Sequence, residues 1–157
     1  MTLLIAITAT LAILSLAVIF GTDTSAAVVQ RAVYAELDDR ALVQVVGRGH
    51  YYGDRRFPPI GIGGTILTVA TVVLTGFSAG LLPFALAAGA LVLLVIWLLL
   101  FARIAKPINA TLTAAAMSDA VPGDLRELQR RWESIIVLRA TLLAIAIALL
   151  CGTLVLL

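Results

Sequence analysis

Charge is the first thing this chain lacks. Only 13% of its 157 residues are Asp, Glu, Lys or Arg, while 62% are hydrophobic. A soluble domain carries about 25% charge, so the composition, with a mean hydropathy of +1.11, points to a membrane protein. Cysteine occurs once, at Cys151, which rules out an internal disulfide and says little about redox compartment. Histidine also occurs once, as His50. Without cysteines or paired carboxylates at ligand spacing it makes a poor metal site, and neither metal nor cofactor is expected. No nucleic-acid partner is expected either.

What is present is apolar sequence in long runs. Residues 1–22, 57–102 and 140–157 carry no charge, and the middle run is long enough for two spans. A span needs about 20 apolar residues to cross a hydrocarbon core of roughly 30 Å. Two glycines and a proline in Gly76 to Pro83 divide the middle run, since one unbroken helix would outrun any bilayer and bury Pro83 inside it. Four spans result, near residues 2–21, 60–77, 81–103 and 138–157, joined by polar connections over 22–59 and 104–137. The runs lack the alternation of barrel strands, so the expected fold is all-α, a four-transmembrane-helix bundle with cytoplasmic helical extensions, forming a single domain over residues 1–157.

All 11 Lys and Arg and all 9 Asp and Glu lie between Asp23 and Arg139, in the first and third connections. With four spans these share one side, and arginine-rich connections stay cytoplasmic. Both termini are then expected outside the cell, in the plasma membrane. The first run lacks a basic n-region and reads as a retained span rather than a signal peptide.

Within the first connection, Asp23, Thr24 and Ser25 are N-cap residue types, and Ala26, Val29, Val33 and Leu37 recur at helical spacing. The pattern predicts a helix over about 25–46, stopped by Gly47 and Gly49, followed by a loop into the second span. That loop holds His50, Tyr51, Tyr52, Asp54, Arg55 and Arg56. One reading makes His50 an acid or base for a bound substrate. The other makes the tyrosines an interfacial belt and the arginines anchors for lipid phosphate. The GIGG run at residues 61–64 reads as close helix packing or as room beside His50. Spans two and three hold no ionisable residue, which counts against an ion pump or proton-coupled transporter.

The second connection, Pro107 to Arg139, is the more organised. Pro107 is expected to kink the third span's helix or to start a new one. Asn109 serves either as a cap or as a polar contact into the bundle. Asp124 with Glu127 suggests a capping box, and Glu127 with Arg131 an i, i+4 ion pair. Leu125, Leu128, Trp132, Ile135 and Arg139 share one helical stripe, which sets an arginine among apolar side chains. Such an arginine either finds a partner or snorkels to the interface.

Pro107-Ile108-Asn109 with Leu112, then Leu125 through Arg139, together with the four-span layout over almost the whole chain, resemble the domain-of-unknown-function 1772 family, also called anthrone oxygenase-like. The resemblance implies a small four-helix membrane protein, and fungal members are assigned oxidation of anthrones to anthraquinones. By position it marks Asn109, Arg131, Trp132 and Arg139. Relatives often carry a histidine four residues after the tryptophan, and here that position is Ile136. A titrating base must then come from His50.

The expected site therefore joins His50 and Arg139 as catalytic groups with Asp54, Arg55, Asn109, Arg131 and Trp132 as substrate-binding groups. It would bind, and in the oxygenase reading oxidise, a hydrophobic aromatic or quinone-like molecule at the cytoplasmic membrane face. The rival is a non-catalytic integral subunit or lipid-binding scaffold, working as a homo-oligomer or within a larger membrane complex.

Overall fold

The computed structural model describes residues 1–157 and contains only helices and their connections. There are five: α1 (Thr2–Glu36), α2 (Asp39–Arg56), α3 (Pro58–Ser78), α4 (Leu81–Met117) and α5 (Leu125–Val155). All except α2 are long and apolar enough to cross a membrane. In the bundle α1 packs between α3 and α5, and α4 closes the ring against α5 and α3. The core where they meet is built from Ala12, Leu16, Leu94, Leu143, Ala146 and Leu150, with small residues admitting close approach of the helices.

Helix length is the feature the hydrophobic runs understated. At about 1.5 Å per residue, the 21 residues of α3 just span a bilayer, but the 35, 37 and 31 residues of α1, α4 and α5 run well past it. Their excess lies at one end of the bundle, where α2 packs on the extension of α4 through Leu42, Val43, Val46, Ile108, Leu112 and Leu125. The bundle and its helical extensions thus agree with the expected architecture. Both α1 and α4 pass into this polar end through a single π-helical turn, at Ala26–Gln30 and Phe101–Ala105. Each inserted residue rotates the face that follows, and such turns gather at functional sites.

Three local expectations change. The helix predicted over 25–46 is two helices, because Leu37 is extended (φ −78°, ψ 144°) and Asp38 caps α2 by accepting a 2.8 Å bond from the Ala41 amide. Asp23, Thr24 and Ser25 cap nothing and lie inside α1, while Val29 and Val33 are exposed. Gly47 and Gly49 do not stop α2, which continues through His50 to Arg56, so the expected loop is the helix's last two turns. Gly47 is retained in a helix because α2 crosses α4 there: a Cβ would fall on the Leu112 carbonyl and lie 2.5 Å from Ala116 Cβ.

Pro107 neither starts a helix nor breaks one. It follows the π turn directly, inside the continuous α4. Asp124 makes no capping bond, and Glu127 pairs with Arg130 rather than Arg131. The turn between α3 and α4 is as expected, with Gly80 taking the left-handed φ of 84° that glycine tolerates.

Gly47→Ala should therefore destabilise the protein in detergent by about 1–3 kcal/mol, the cost of overpacking, although alanine favours a helix over glycine by about 1 kcal/mol. Gly49→Ala, where a Cβ meets nothing within 4 Å, should hold or raise the thermal midpoint. Equal effects at the two glycines would contradict the crossing.

Candidate functional site

The stripe on α5 is realised: Leu125, Ile135 and Arg139 are buried, and Leu128 and Trp132 pack inward. The partner of Arg139 is Asp23. Arg139 Nη2 donates to Asp23 Oδ1 at 3.0 Å, and Trp97 Nε1 donates to Asp23 Oδ2 at 2.9 Å. Asp23 and Arg139 are 5% and 6% exposed. The guanidinium lies 4.8 Å from the Trp97 ring centroid and 5.7 Å from that of Phe101, within cation–π range. Three helices, α1, α4 and α5, are thus tied by one carboxylate. Arg139 does not snorkel; it is held inside.

A second polar chain lies beside the first. Asn109 Nδ2 donates to both oxygens of Asp54, at 3.0 and 3.2 Å, and Asn109 Oδ1 accepts from Trp132 Nε1 at 3.0 Å. Asn109 is therefore a contact into the bundle and not a cap. The His50 ring sits 5.4 Å from Trp132, tilted by 49°. These side chains come from α2, α4 and α5, and the π turn before Lys106 helps set Asn109 toward them.

Both groups line one cavity of about 640 Å³, at the level where the apolar bundle meets its polar extension. His50, Asp54, Asn109, Trp132 and Arg139 all face it, as do Asp23 and Trp97. Aromatic and aliphatic surface from Phe57, Phe101, Ile19 and Ile62 completes much of the wall. Two buried nitrogens on this lining have no hydrogen-bond partner, His50 Nε2 and Arg139 Nε. Gln129 Oε1, on the same lining, is a third such unpaired atom, and all three have almost no accessible surface, so a bound molecule would meet other atoms of these side chains.

Burial, and then the positive charge of Arg139, lowers the His50 pKa from 6.5 to about 4. The ring is neutral at physiological pH. Burial raises the pKa of Asp54 against the opposing effects of Asn109, Lys106, Arg139 and Arg55. Nowhere in the fold do three His, Cys, Asp or Glu side chains converge as a metal site would require.

Two expected site residues lie elsewhere. Arg55 stacks 3.6 Å over the Tyr51 ring and donates to the Tyr51 carbonyl on the outer side of α2. Arg131 is exposed and does not line the cavity. Helical spacing sets position 131 at the edge of the α5 stripe, about 40° beyond Ile135, and its side chain lies on the exposed side. Conversely, Asp23, expected as a cap residue, lines the cavity together with Trp97. The available signal was one acidic residue at the end of an apolar run, which within a membrane calls for a partner.

Two predictions follow from the geometry. Arg139→Met leaves a buried carboxylate without its cation and should cost about 3–5 kcal/mol; the double variant Asp23→Leu/Arg139→Met should recover most of that loss in thermal denaturation. For His50, the folded pKa lies below the unfolded one, so its contribution to stability is complete above pH 6.5 and is lost as pH falls toward about 4. Asp54, with its pKa raised, acts in the opposite direction over the acid end of that range. The acid sensitivity of the melting midpoint between pH 6.5 and 4 should therefore be smaller in His50→Gln than in the wild type.

Compared with family models, with curated proteins and with solved structures, the chain matches none, so the functional reading stands on the residues and geometry above.

Proposed function

We propose that this protein binds a hydrophobic aromatic or quinone-like molecule in the cavity at the cytoplasmic face of the plasma membrane, and oxidises it in the manner the anthrone oxygenase-like resemblance implies. The observation that carries the reading is one largely apolar cavity of about 640 Å³ whose wall brings His50, Asp54, Asn109, Trp132 and Arg139 together. Pockets of about 300–1,000 Å³ with apolar walls and a few placed polar groups are the usual form of small-molecule sites. The cytoplasmic assignment follows from the basic residues, which all lie outside the three uncharged runs.

The chemistry asks for a base and for a group that holds a developing oxyanion. The neutral His50 takes a proton from the activated ring methylene through its imidazole, and the Arg139 guanidinium holds the enolate oxygen. The enolate's negative charge offsets that of Arg139 and favours the imidazolium as it forms. Dioxygen dissolved in the apolar phase adds to the carbanion, and the resulting peroxide loses water, so that CH₂ plus O₂ becomes C=O plus H₂O. Asn109, engaged by Asp54 and Trp132, positions the wall behind His50.

His50→Gln keeps a polar side chain and removes the base. In membranes it should lower turnover of an anthrone by about 100-fold or more, while anthrone binding changes only a few-fold. Unchanged turnover would remove His50 from the mechanism; absent binding to the wild-type protein would remove the site.

One observation favours the second reading, a lipid-binding or scaffold subunit. Arg55 and Arg56 stack on Tyr51 and Tyr52 at the end of α2 where the chain enters α3, an arrangement suited to membrane lipid phosphate. That reading predicts recovery of a homo-oligomer or a larger membrane complex in native mass spectrometry, and a stable monomer would count against it.

A further inference from the structure

The cavity has two chemically different ends. Asp23, Arg139 and His50 make the inner end polar. The outer wall is made by Phe57, just before α3, by Gly61 and Ile62 of α3 and by Leu98 of α4. Three of these four also reach the outer surface, Phe57 and Leu98 at 37% exposure and Ile62 at 60%. A side chain that both lines a cavity and faces outward marks its opening.

That opening has a definite place. Leu98 lies about 26 Å along α4 from Leu81, inside a hydrocarbon core of about 30 Å, and Ile62 is in the first turns of a helix that just spans the bilayer. This opening faces acyl chains, while a second, polar one lies where Gly49, Asp54 and Lys106 also line the cavity and are exposed. Other approaches to α3 are closed. Against α1, a Cβ at Gly64 would already meet Ser15 at 3.0 Å and Leu16 at 3.3 Å, and at the far end of the α3–α4 pair Phe84 lies 3.3 Å from where a Cβ of Gly76 would stand. At Gly61, on the cavity wall, a Cβ would meet nothing within 4 Å. Space is thus left open next to Ile62 and closed one turn further along.

We infer that the ligand is an amphiphile: a quinone- or phenol-type ring that reaches the polar end of the cavity, carrying an alkyl or prenyl tail that leaves past Gly61, between Ile62 and Leu98, into the bilayer. The inference rests on the proposed binding reading alone and names the class of ligand bound. It follows from polarity matching. A ring oxygen satisfies His50 and Arg139 at the inner end, and the tail stays in hydrocarbon at the outer end, so neither is transferred to water.

The test uses the full-length protein in lipid nanodiscs and two probes, a dimethoxy-methyl-benzoquinone carrying a ten-carbon chain and the same ring without the chain. Gly61→Leu fills the opening with a side chain that favours a helix more than glycine does, and Leu98→Phe narrows it from the opposite wall. Each variant should weaken the tailed quinone by about tenfold or more relative to wild type, the order expected when a well-fitted site is overpacked. The tailless ring should change by less than about twofold. Comparing each probe between variant and wild type cancels its partitioning into the disc, and the thermal midpoint reports folding. If one variant unfolds, the other carries the comparison. Equal loss for both probes would overturn the tail exit while leaving the binding site in place. No binding of either probe to the wild-type protein would overturn the binding reading together with it.

Discussion

The Asp23–Arg139 pair is the constraint around which the rest of this fold is arranged. A carboxylate and a guanidinium removed from water each cost several kcal/mol, and only good geometry with further hydrogen bonds offsets that cost. Here the second carboxylate oxygen is taken by Trp97, and the face of the same indole supports the guanidinium. The arrangement works only if α1, α4 and α5 hold one mutual register. Replacing such a pair by apolar side chains is often close to neutral for stability, so its presence is consistent with a use for the charge. The use consistent with the cavity is an anchored cation whose Nε remains free.

Around that anchor the protein builds a space that is neither membrane nor water. Three helices continue beyond the bilayer, α1 and α4 each passing through a π turn at the boundary, and α2 packs across the extension of α4. The polar end is fastened by exposed ion pairs and capping contacts: Arg40 with Asp119, Arg126 with Asp39 and with the Leu37 carbonyl, and Arg31 with Glu133. Individually these contribute little. Their joint effect is to hold α2, and with it His50, over the mouth of the bundle. His50 then lies against Trp132 and near a positive charge, which keeps the imidazole neutral and able to accept a proton.

Much of the architecture was legible because a membrane leaves the sequence few options. Uncharged runs of sufficient length had to be helices, and the glycines and proline at 76–83 had to divide the middle run. The helical spacing of Leu125, Trp132 and Arg139 also correctly placed an arginine facing inward. The identity of its partner was hidden because Asp23 stands beside Thr24 and Ser25, a run that reads as a helix cap, while 116 residues separate it from Arg139. Gly47 was misread for a related reason. Its propensity says stop, but its close approach to Leu112 requires the absence of a side chain within a helix. Local preference was outvoted in both places by contacts between distant segments. The reach of Asn109 to Asp54 and Trp132 depends on helix phase after the π turn of α4 and on packing that no single-segment pattern records.

Under the proposed function, His50 is a neutral base held beside Arg139 in a cavity that receives a ring oxygen. Because His50 is the only histidine, its imidazole nitrogens can be observed without ambiguity by ¹⁵N NMR of labelled protein in nanodiscs. A neutral ring at pH 6, titrating near pH 4, is expected, with an imidazole nitrogen resonance shifting on addition of an anthrone or quinone as that nitrogen gains a hydrogen-bond partner. A histidine that titrates at 6.5 and does not respond to either ligand would contradict this reading.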